Sequence, residues 1–322
     1  MASPTSHALS RRGFCLCCIG GAFAATTGWL SPRQAYAEAR GLVSLIKDSA
    51  AKSPITTYKL RNNISVLEGS GGNVAVLTGT DGKLLVDAGI GVSRPQMSKA
   101  LDALGKEPIK HLINTHWHFD HADGNEWLHA AGAKIIAHEN TRKHLSVVQR
   151  VEDWDYNFLA LPPSAVPAQV FAKEHHLKVN GASIAMKYYG PAHTDGDISV
   201  MFTEANVLHC GDTYWNDIYP FIDYSTGGSI NGMIAASDAN LAIANGDTIV
   251  IPGHGKPVSN KAELQGFRDM LVAIRDNVGN LKKQGKSRDE IVAAKPTAAF
   301  DAKWGQFVVD PGFFTRLVYE GV

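Results

Sequence analysis

The segment that decides the fold carries four potential metal ligands in six residues and reads His116-Trp117-His118-Phe119-Asp120-His121. It follows directly on residues 109–115, which are predicted to form a short strand just after Pro108. If the chain leaves this strand and turns, His116 and His118 share one side, and Asp120 and His121 enter the next turn. Imidazoles and carboxylates that converge in this way are typical of a site for two metal ions.

Three isolated candidate ligands stand at predicted strand ends further along the chain: His193, Asp212 and His254. Gly211 and Gly253 precede two of them and suit places where the backbone must bend close to an ion. Seven buried imidazoles and carboxylates without a cation would be poorly compensated, so we favour metal ligation for the set. Seven further histidines are interpreted as hydrogen-bonded or exposed: His111, His129, His138, His144, His175, His176 and His209.

The complete set of motifs resembles the metallo-β-lactamase superfamily, whose pattern is H-x-H-x-D-H followed by a His, an Asp and a final His, each in its own strand-end loop. The resemblance covers roughly residues 57–258. It implies an α/β fold in the form of a four-layer αββα sandwich.

The resemblance also implies a role for each position. His116, His118 and His193 would hold a first zinc ion. Asp120, His121 and His254 would hold a second, and Asp212 would bridge the two. Asp87, at a predicted strand end, matches the family's carboxylate that orients a ligand imidazole.

The expected cofactors are two Zn²⁺ ions, because imidazole with carboxylate suits zinc; iron and manganese stay open. Two metals about 3.5 to 4 Å apart can share a water, lower its pKa from about 15.7 toward roughly 7, and provide hydroxide as the nucleophile. Asp120 is the expected catalytic residue, since it can orient that water or relay its proton. The predicted reaction is hydrolysis of an ester, lactone, thioester or β-lactam.

The bridging position narrows the choice of substrate. Asp212 stands where dedicated β-lactamases of the family usually have Cys or Ser. Nothing after it resembles a glutathione-binding stretch, and Trp215 takes the place of the tyrosine that assists homoserine lactonases. Two alternatives stay open: a β-lactamase-type amide hydrolase, and a non-catalytic periplasmic protein for metal binding or assembly.

Composition limits the partners. Lys+Arg and Asp+Glu both count 31, so net charge attracts the protein neither to nucleic acid nor to an anionic membrane. A small-molecule substrate fits this balance better. Apolar residues make up 44% of the chain and charged residues 19%, which is enough for a sizeable core. Oligomeric state is not predicted.

Residues 1–37 are predicted to be a twin-arginine export signal. Arg11 and Arg12 precede an apolar run, and Ala35-Tyr36-Ala37 supplies a small-x-small cleavage pattern. The run is too short for a permanent membrane anchor. We therefore expect a periplasmic or secreted protein without a stable anchor after cleavage. Only Cys210 remains beyond the signal, so no internal disulfide is expected.

The rest of the chain divides into a linker over 38–56, a metallo-β-lactamase domain over 57–260 and a helical extension over 261–322 packed on the same domain. Apolar residues from Leu264 to Leu281 recur at spacings of three and four, which predicts a long helix. Residues 150–168 are expected to form a loop over the site, a candidate mobile lid. Aromatic residues that either line the substrate cleft or pack in the core are Trp117, Phe119, Trp154, Tyr156, Tyr214, Trp215, Tyr219 and Phe221.

Overall fold

The computed structural model describes the backbone of residues 32–322 and the side chains of residues 41–322. Residues 1–31 of the predicted export signal therefore lie outside the described part of the chain. The helices are α1 Pro32–Ala50, α2 Arg94–Leu104, α3 Phe119–Ala122, α4 Asn125–Ala130, α5 Glu139–Leu145, α6 Ile230–Ile243, α7 Lys261–Lys283, α8 Arg288–Ala293, α9 Asp301–Trp304 and α10 Pro311–Glu320. Among the described residues, no helix is both long and apolar enough to cross a membrane.

The strands form two main sheets. They are β1 Thr56–Lys59, β2 Ile64–Glu68, β3 Val74–Leu77, β4 Lys83–Val86, β5 Ile109–Ile113, β6 Lys134–His138, β7 Gln149–Val151, β8 Tyr156–Phe158, β9 Gln169–Phe171, β10 Glu174–Val179, β11 Ala182–Tyr188, β12 Ile198–Phe202, β13 Val207–His209, β14 Trp215–Asn216, β15 Ile249–Ile251, β16 His254–Gly255 and β17 Ser259–Asn260. The first sheet has the order β1-β2-β3-β4-β5-β6-β9, and the second β10-β11-β12-β13-β15-β17. Pairs β14–β16 and β7–β8 stand apart from them.

The period-two alternation of strand side chains builds the layers. In β3, Ala75 and Leu77 face the core between the two sheets, while Val74 and Val76 face an outer core that includes Met97 of α2. In the second sheet, Val207 of β13 faces inward, and its neighbour Leu208 joins the core shared with helices α6 and α7. Helices therefore cover both outer faces, which confirms the expected four-layer αββα sandwich.

The C-terminal helices pack on the second sheet. Phe267 of α7 and Phe314 of α10 are fully buried in the same cluster as Leu208 and Val250. Ser287 and Glu290 form a capping box at the start of α8. These contacts make residues 261–322 a cover on the sandwich, as expected. Helix α6, which was not anticipated, packs against α7 beside this cover.

Two expectations about the chain's connections are corrected. The segment 38–56, expected to be a linker, is helical up to Ala50, because Val43 and Ala50 are seven residues apart and bury the same helix face. The segment 150–168, expected to be a loop, contains the antiparallel pair β7–β8. The two strands have only three residues each and are separated by polar residues, so the sequence gives no clear strand pattern here.

Candidate metal centre

The candidate ligands lie where strands of both sheets end. The parallel pair β4–β5 leads into Asp87 and His116, and the parallel pair β13–β15 leads into Asp212 and His254. The carboxyl ends of parallel strands meet at one edge of a sheet, which is why residues far apart in sequence come together here. His193 enters from the loop after β11.

The first cluster consists of His116, His118, His193 and Asp212, all buried. Their potential ligand atoms lie within 4.8 Å of one another. His118 Nδ1 is 2.8 Å from His193 Nε2, and His193 Nε2 is 3.3 Å from Asp212 Oδ2. His116 Nε2 is 3.9 Å from the same carboxylate oxygen.

The second cluster consists of Asp120, His121 and His254. His121 Nε2 is 3.2 Å from His254 Nε2 and 3.6 Å from Asp120 Oδ2. Asp212 belongs to both clusters by distance: its Oδ1 lies 3.1 Å from His121 Nε2, and its Oδ2 lies 3.2 Å from His254 Nε2. All seven predicted side chains therefore meet at one place.

The hydrogen bonds on the outer nitrogens fix which nitrogen of each imidazole faces inward. His118 Nε2 donates to Asp223 Oδ2 at 3.0 Å, and His193 Nδ1 donates to the Phe221 carbonyl oxygen at 2.8 Å. In the neutral tautomers that these bonds assign, the two inner nitrogens present lone pairs to each other at 2.8 Å. Facing lone pairs repel, and a cation between them removes the repulsion.

In His116, too, the outer nitrogen is hydrogen-bonded and the inner nitrogen is left without a partner among the described residues. Its Nδ1 lies 3.0 Å from Thr115 Oγ1, and that hydroxyl donates to Asp87 Oδ2 at 2.8 Å. Its inner Nε2 is buried and makes no hydrogen bond within the described part of the chain. An unpaired buried nitrogen costs free energy unless an unseen partner satisfies it. The donor set and this open position fit a metal ion.

Asp87 fulfils the role expected of it. Its Oδ2 lies 2.8 Å from His121 Nδ1, and its Oδ1 accepts from the Thr115 backbone N–H at 2.7 Å. Its φ of 69° lies in the left-handed region, which aspartate tolerates better than most residues. A strained backbone held by this many bonds is typical of functional sites.

The pKa values of the histidines differ between the two clusters. Burial lowers the pKa of His193 to about 4 and holds the pKa of His116 well below its ordinary value. In the second cluster, burial also acts to lower the histidine pKa values, but the carboxylates outweigh it. Asp212 and Asp120 raise the pKa of His254 to about 9 and that of His121 well above 6.5. Burial alone would raise the pKa of Asp120, yet His121 and His254 lower it to about 2.

Glycine is required where the backbone passes the site. A Cβ at Gly253 would lie 1.9 Å from Asp212 Oδ1, and one at Gly72 would lie 2.2 Å from His121 Cε1. Neither position has room for a side chain. The expectation of a close backbone approach at Gly253 is thus met, and Gly72 is a further such position that the sequence did not single out.

An apolar cavity opens beside the two clusters. Of the aromatic residues considered from sequence, Phe119, Trp154, Trp215 and Phe221 line it. Trp117 and Tyr156 line a neighbouring cavity instead. Tyr214 and Tyr219 are fully buried core residues, whose rings pack against Phe267 and Phe314.

The seven histidines interpreted as non-ligands lie outside both clusters. His209 Nε2 donates to the Asn73 carbonyl oxygen at 2.9 Å, and His138 Nε2 donates to that of Ala172 at 3.0 Å. His144 Nε2 lies 2.7 Å from Asp195 Oδ1. Sequence reasoning missed Asp223, whose partner His118 is 105 residues away. The only local signal was an Asp followed by Ser225 and Thr226, which predicts a turn.

Comparison with known proteins gives curated relatives over part of the chain. It is 30% identical over 109 residues to a hydroxyacylglutathione hydrolase of Rhodospirillum rubrum, covering 34% of this chain and 35% of the relative. It is 31% identical over 150 residues to a hydroxyacylglutathione hydrolase of a Polaromonas species, covering 45% and 48%. The matches thus span between a third and a half of each curated relative.

Solved structures share the fold over more of the chain. A stereoselective inverting sec-alkylsulfatase from a Pseudomonas species superposes with a TM-score of 0.61 at 17% identity, covering 88% of this chain and 54% of the sulfatase. A metallo-beta-lactamase from Pontibacter korlensis superposes with a TM-score of 0.54 at 17% identity, covering 68% of this chain and 99% of the lactamase. At this identity the likeness concerns the fold alone.

The family itself is settled by the sequence profile of the metallo-beta-lactamase superfamily, which matches residues 67–254. That span is more than half of the chain and contains all seven predicted ligands. It confirms the resemblance inferred from the motifs. The chain belongs to the metallo-beta-lactamase superfamily.

Proposed function

We propose that the protein is an exported hydrolase with two zinc ions, which cleaves an ester, lactone, thioester or β-lactam. The observation that carries the proposal is the convergence of the inner histidine nitrogens, with lone pairs facing each other 2.8 Å apart and an unpaired His116 Nε2 beside them. Export rests on the twin-arginine motif and the small-x-small pattern in the sequence.

The ligand assignment follows the two clusters. His116, His118 and His193 would hold one ion, and Asp120, His121 and His254 would hold the other. Asp212 lies within 3.3 Å of histidine nitrogens in both clusters and would contact both ions. When bound, the ions supply Lewis-acid activation of water and of the substrate's carbonyl group.

Asp120 is the residue that would transfer the proton of the attacking water. Asp120 lines the apolar cavity, and its low pKa of about 2 leaves it deprotonated at neutral pH. Its Oδ2 lies 3.1 Å from His254 Nε2, which holds the carboxylate in place. In ester hydrolysis, water adds to the carbonyl carbon and the C–O bond breaks. Asp120 Oδ2 would take the proton from water and return it to the leaving alkoxide.

Metal quantification paired with a substrate panel tests the proposal. We expect about two zinc ions per chain and turnover of at least one chromogenic ester, lactone, thioester or β-lactam. Asp120→Ala and His121→Ala should abolish turnover. Asp238→Ala, which removes only a surface ion pair with Arg268, is the matched control and should keep it. Unchanged rates in well-folded Asp120→Ala, or tight metal binding with no turnover across the panel, would refute the hydrolase.

A further inference from the structure

The apolar cavity is completed by parts of the chain that lie outside the family-matched span of 67–254. Helix α1 and the segment around α10 contribute six of its lining residues: Leu42, Ile46, Phe307, Val308, Val309 and Phe313. All six are aliphatic or aromatic. The proposed metal ligands of the cavity thus fall within the family-matched span, and these six residues, which form an apolar wall, fall outside it.

The wall offers no charge to a substrate. Apart from the proposed metal ligands, the only polar side-chain groups among the described lining residues are the indole N–H groups of Trp154 and Trp215. The Trp215 N–H is buried and has no hydrogen-bond partner among the described residues. An uncharged oxygen of a substrate can accept such a bond, whereas a carboxylate near this wall would lose its hydration without gaining a cation.

Among the side chains of helix α1 that the structure describes, the one cation, Lys47, faces elsewhere. Lys47 follows Ile46, but it lines the neighbouring cavity, where its Nζ lies 3.6 Å from Asp123 Oδ1 and 5.6 Å from the centre of the Phe119 ring. Phe119 lies between the two cavities and contributes to both. The charge of Lys47 is therefore directed to the neighbouring cavity, and Arg316, whose guanidinium carbon lies 5.4 Å from the centre of the Phe313 ring, does not line the apolar cavity either.

We propose that the substrate is uncharged and that its alkyl or aryl portion packs against the wall formed by α1 and residues 307–313. This inference rests on the proposed hydrolase function and names the class of its substrate. It excludes substrates that carry a carboxylate within reach of this wall. Trp154 stacks on Phe221 with ring centres 4.8 Å apart, so the aromatic side of the cavity is already ordered for an apolar group.

A pair of esters with one leaving group provides the activity test. 4-Nitrophenyl butanoate is neutral, and mono-4-nitrophenyl succinate has a similar length with a terminal carboxylate. We expect kcat/KM to favour the neutral ester by at least about tenfold, because the carboxylate is desolvated without a partner. Equal or better turnover of the succinate would overturn the proposal while leaving the hydrolase intact. Turnover of neither ester, with cleavage of a charged substrate elsewhere in the panel, would overturn it as well.

Charged variants on helix α1 distinguish an effect of the apolar wall on substrate choice from a general effect of a new charge on the enzyme. Ile46→Lys should lower kcat/KM for the butanoate about tenfold and raise it for the succinate, because the new cation pairs with the carboxylate. Ile46→Asp should lower both. Leu45→Lys is the matched control, since Leu45 is 47% exposed and does not line the cavity. An Ile46→Lys enzyme that behaves like Leu45→Lys would contradict the assignment of the wall.

A binding measurement gives a readout independent of turnover. N-phenyl-1-naphthylamine is a neutral dye that fluoresces in apolar sites, and its binding can be followed in the protein with or without zinc. We expect saturable binding to the wild type and to Leu45→Lys, and about tenfold weaker binding to Ile46→Lys. Leu42→Lys, one helical turn earlier, should repeat the result if Ile46→Lys fails to fold. Equal dye affinity in all folded variants would refute the proposal whether or not the protein hydrolyses esters.

Discussion

The two ligand clusters are built from the same residue types but differ in charge. In the first, neutral acceptors hold two of the three imidazoles: the Thr115 hydroxyl at His116 and the Phe221 carbonyl at His193. In the second, His121 lies between the carboxylates of Asp87 and Asp212. Burial therefore decides the protonation of His116 and His193 in the first cluster, and carboxylates decide that of His121 and His254 in the second.

This difference has a consequence for metal binding. In the first cluster, the lowered pKa values of His193 and His116 keep these two imidazoles neutral, so their lone pairs are available to a cation at neutral pH. The second cluster holds protons on His121 and His254 that a cation must displace. The two sites should consequently differ in how their affinity depends on pH, with the second site the more sensitive.

Replacing the residue shared by both clusters should have the largest effect. Asp212→Ala removes the carboxylate that contacts His193, His121 and His254 at 3.1 to 3.3 Å. We expect metal content to fall from about two ions to less than one, and turnover to fall roughly 1,000-fold, because the ions carry several kcal/mol of transition-state stabilisation. Metal analysis and kinetics on the same preparation measure both. Loss of one ion only would show that Asp212 serves a single cluster.

The opposite pKa shifts predict a stability maximum for the metal-free protein. The raised pKa of His254, about 9, lies above the unfolded value of about 6.5, so its charged form stabilises the fold below pH 6.5 and is lost as pH rises through 9. The lowered pKa of His193, about 4, has the reverse sign, so stability falls as pH drops from 6.5 toward 4. Each contribution is at most about 3 kcal/mol.

Urea unfolding in the presence of a chelator at pH 4.5, 6.5 and 9.5 tests this prediction. His254→Gln should reduce the slope mainly on the alkaline side of the curve, to which His121 also contributes, and His193→Gln should reduce it mainly on the acidic side. A wild-type curve that is flat between pH 6.5 and 9.5 would remove the electrostatic distinction between the clusters.

The ligand set illustrates what a sequence can predict. His116 to His121 lie next to one another, so a short motif reveals them without any knowledge of the fold. His193, Asp212 and His254 were found because each follows an apolar strand, and strand ends converge in a layered α/β sandwich.

The parts that were missed depend on contacts across the fold. Asp223 touches His118 across 105 residues of sequence, and no local pattern relates the two. Leu42 and Ile46 line the apolar cavity from a segment expected to be a linker. Their spacing of four residues fits one helix face, but the surface that this face meets is formed by residues far away in the sequence. Tertiary packing, which decides such contacts, is not encoded in any one window of sequence.

A substitution at Asp87 should weaken the second cluster more than the first. Asp87→Asn keeps the side chain's shape and tolerates the φ of 69°, but it removes the charge that holds His121. Loss of such a supporting partner costs about 10- to 100-fold in metal affinity. We expect this loss for one ion in a chelator competition titration. His116 depends on Asp87 only through Thr115, so the other ion should be affected less.

Asp223→Asn, the corresponding substitution in the first cluster, should have the smallest effect on metal affinity and should weaken binding of the ion there. An asparagine oxygen can still accept the His118 Nε2–H bond, so only the charge is lost, and we expect about a tenfold drop in affinity for one ion. Asp195→Asn is the control for both variants, because Asp195 pairs with His144, an imidazole outside the clusters. If Asp87→Asn and Asp223→Asn weaken the same ion, the two clusters act as one site, and the charge difference between them does not separate their functions.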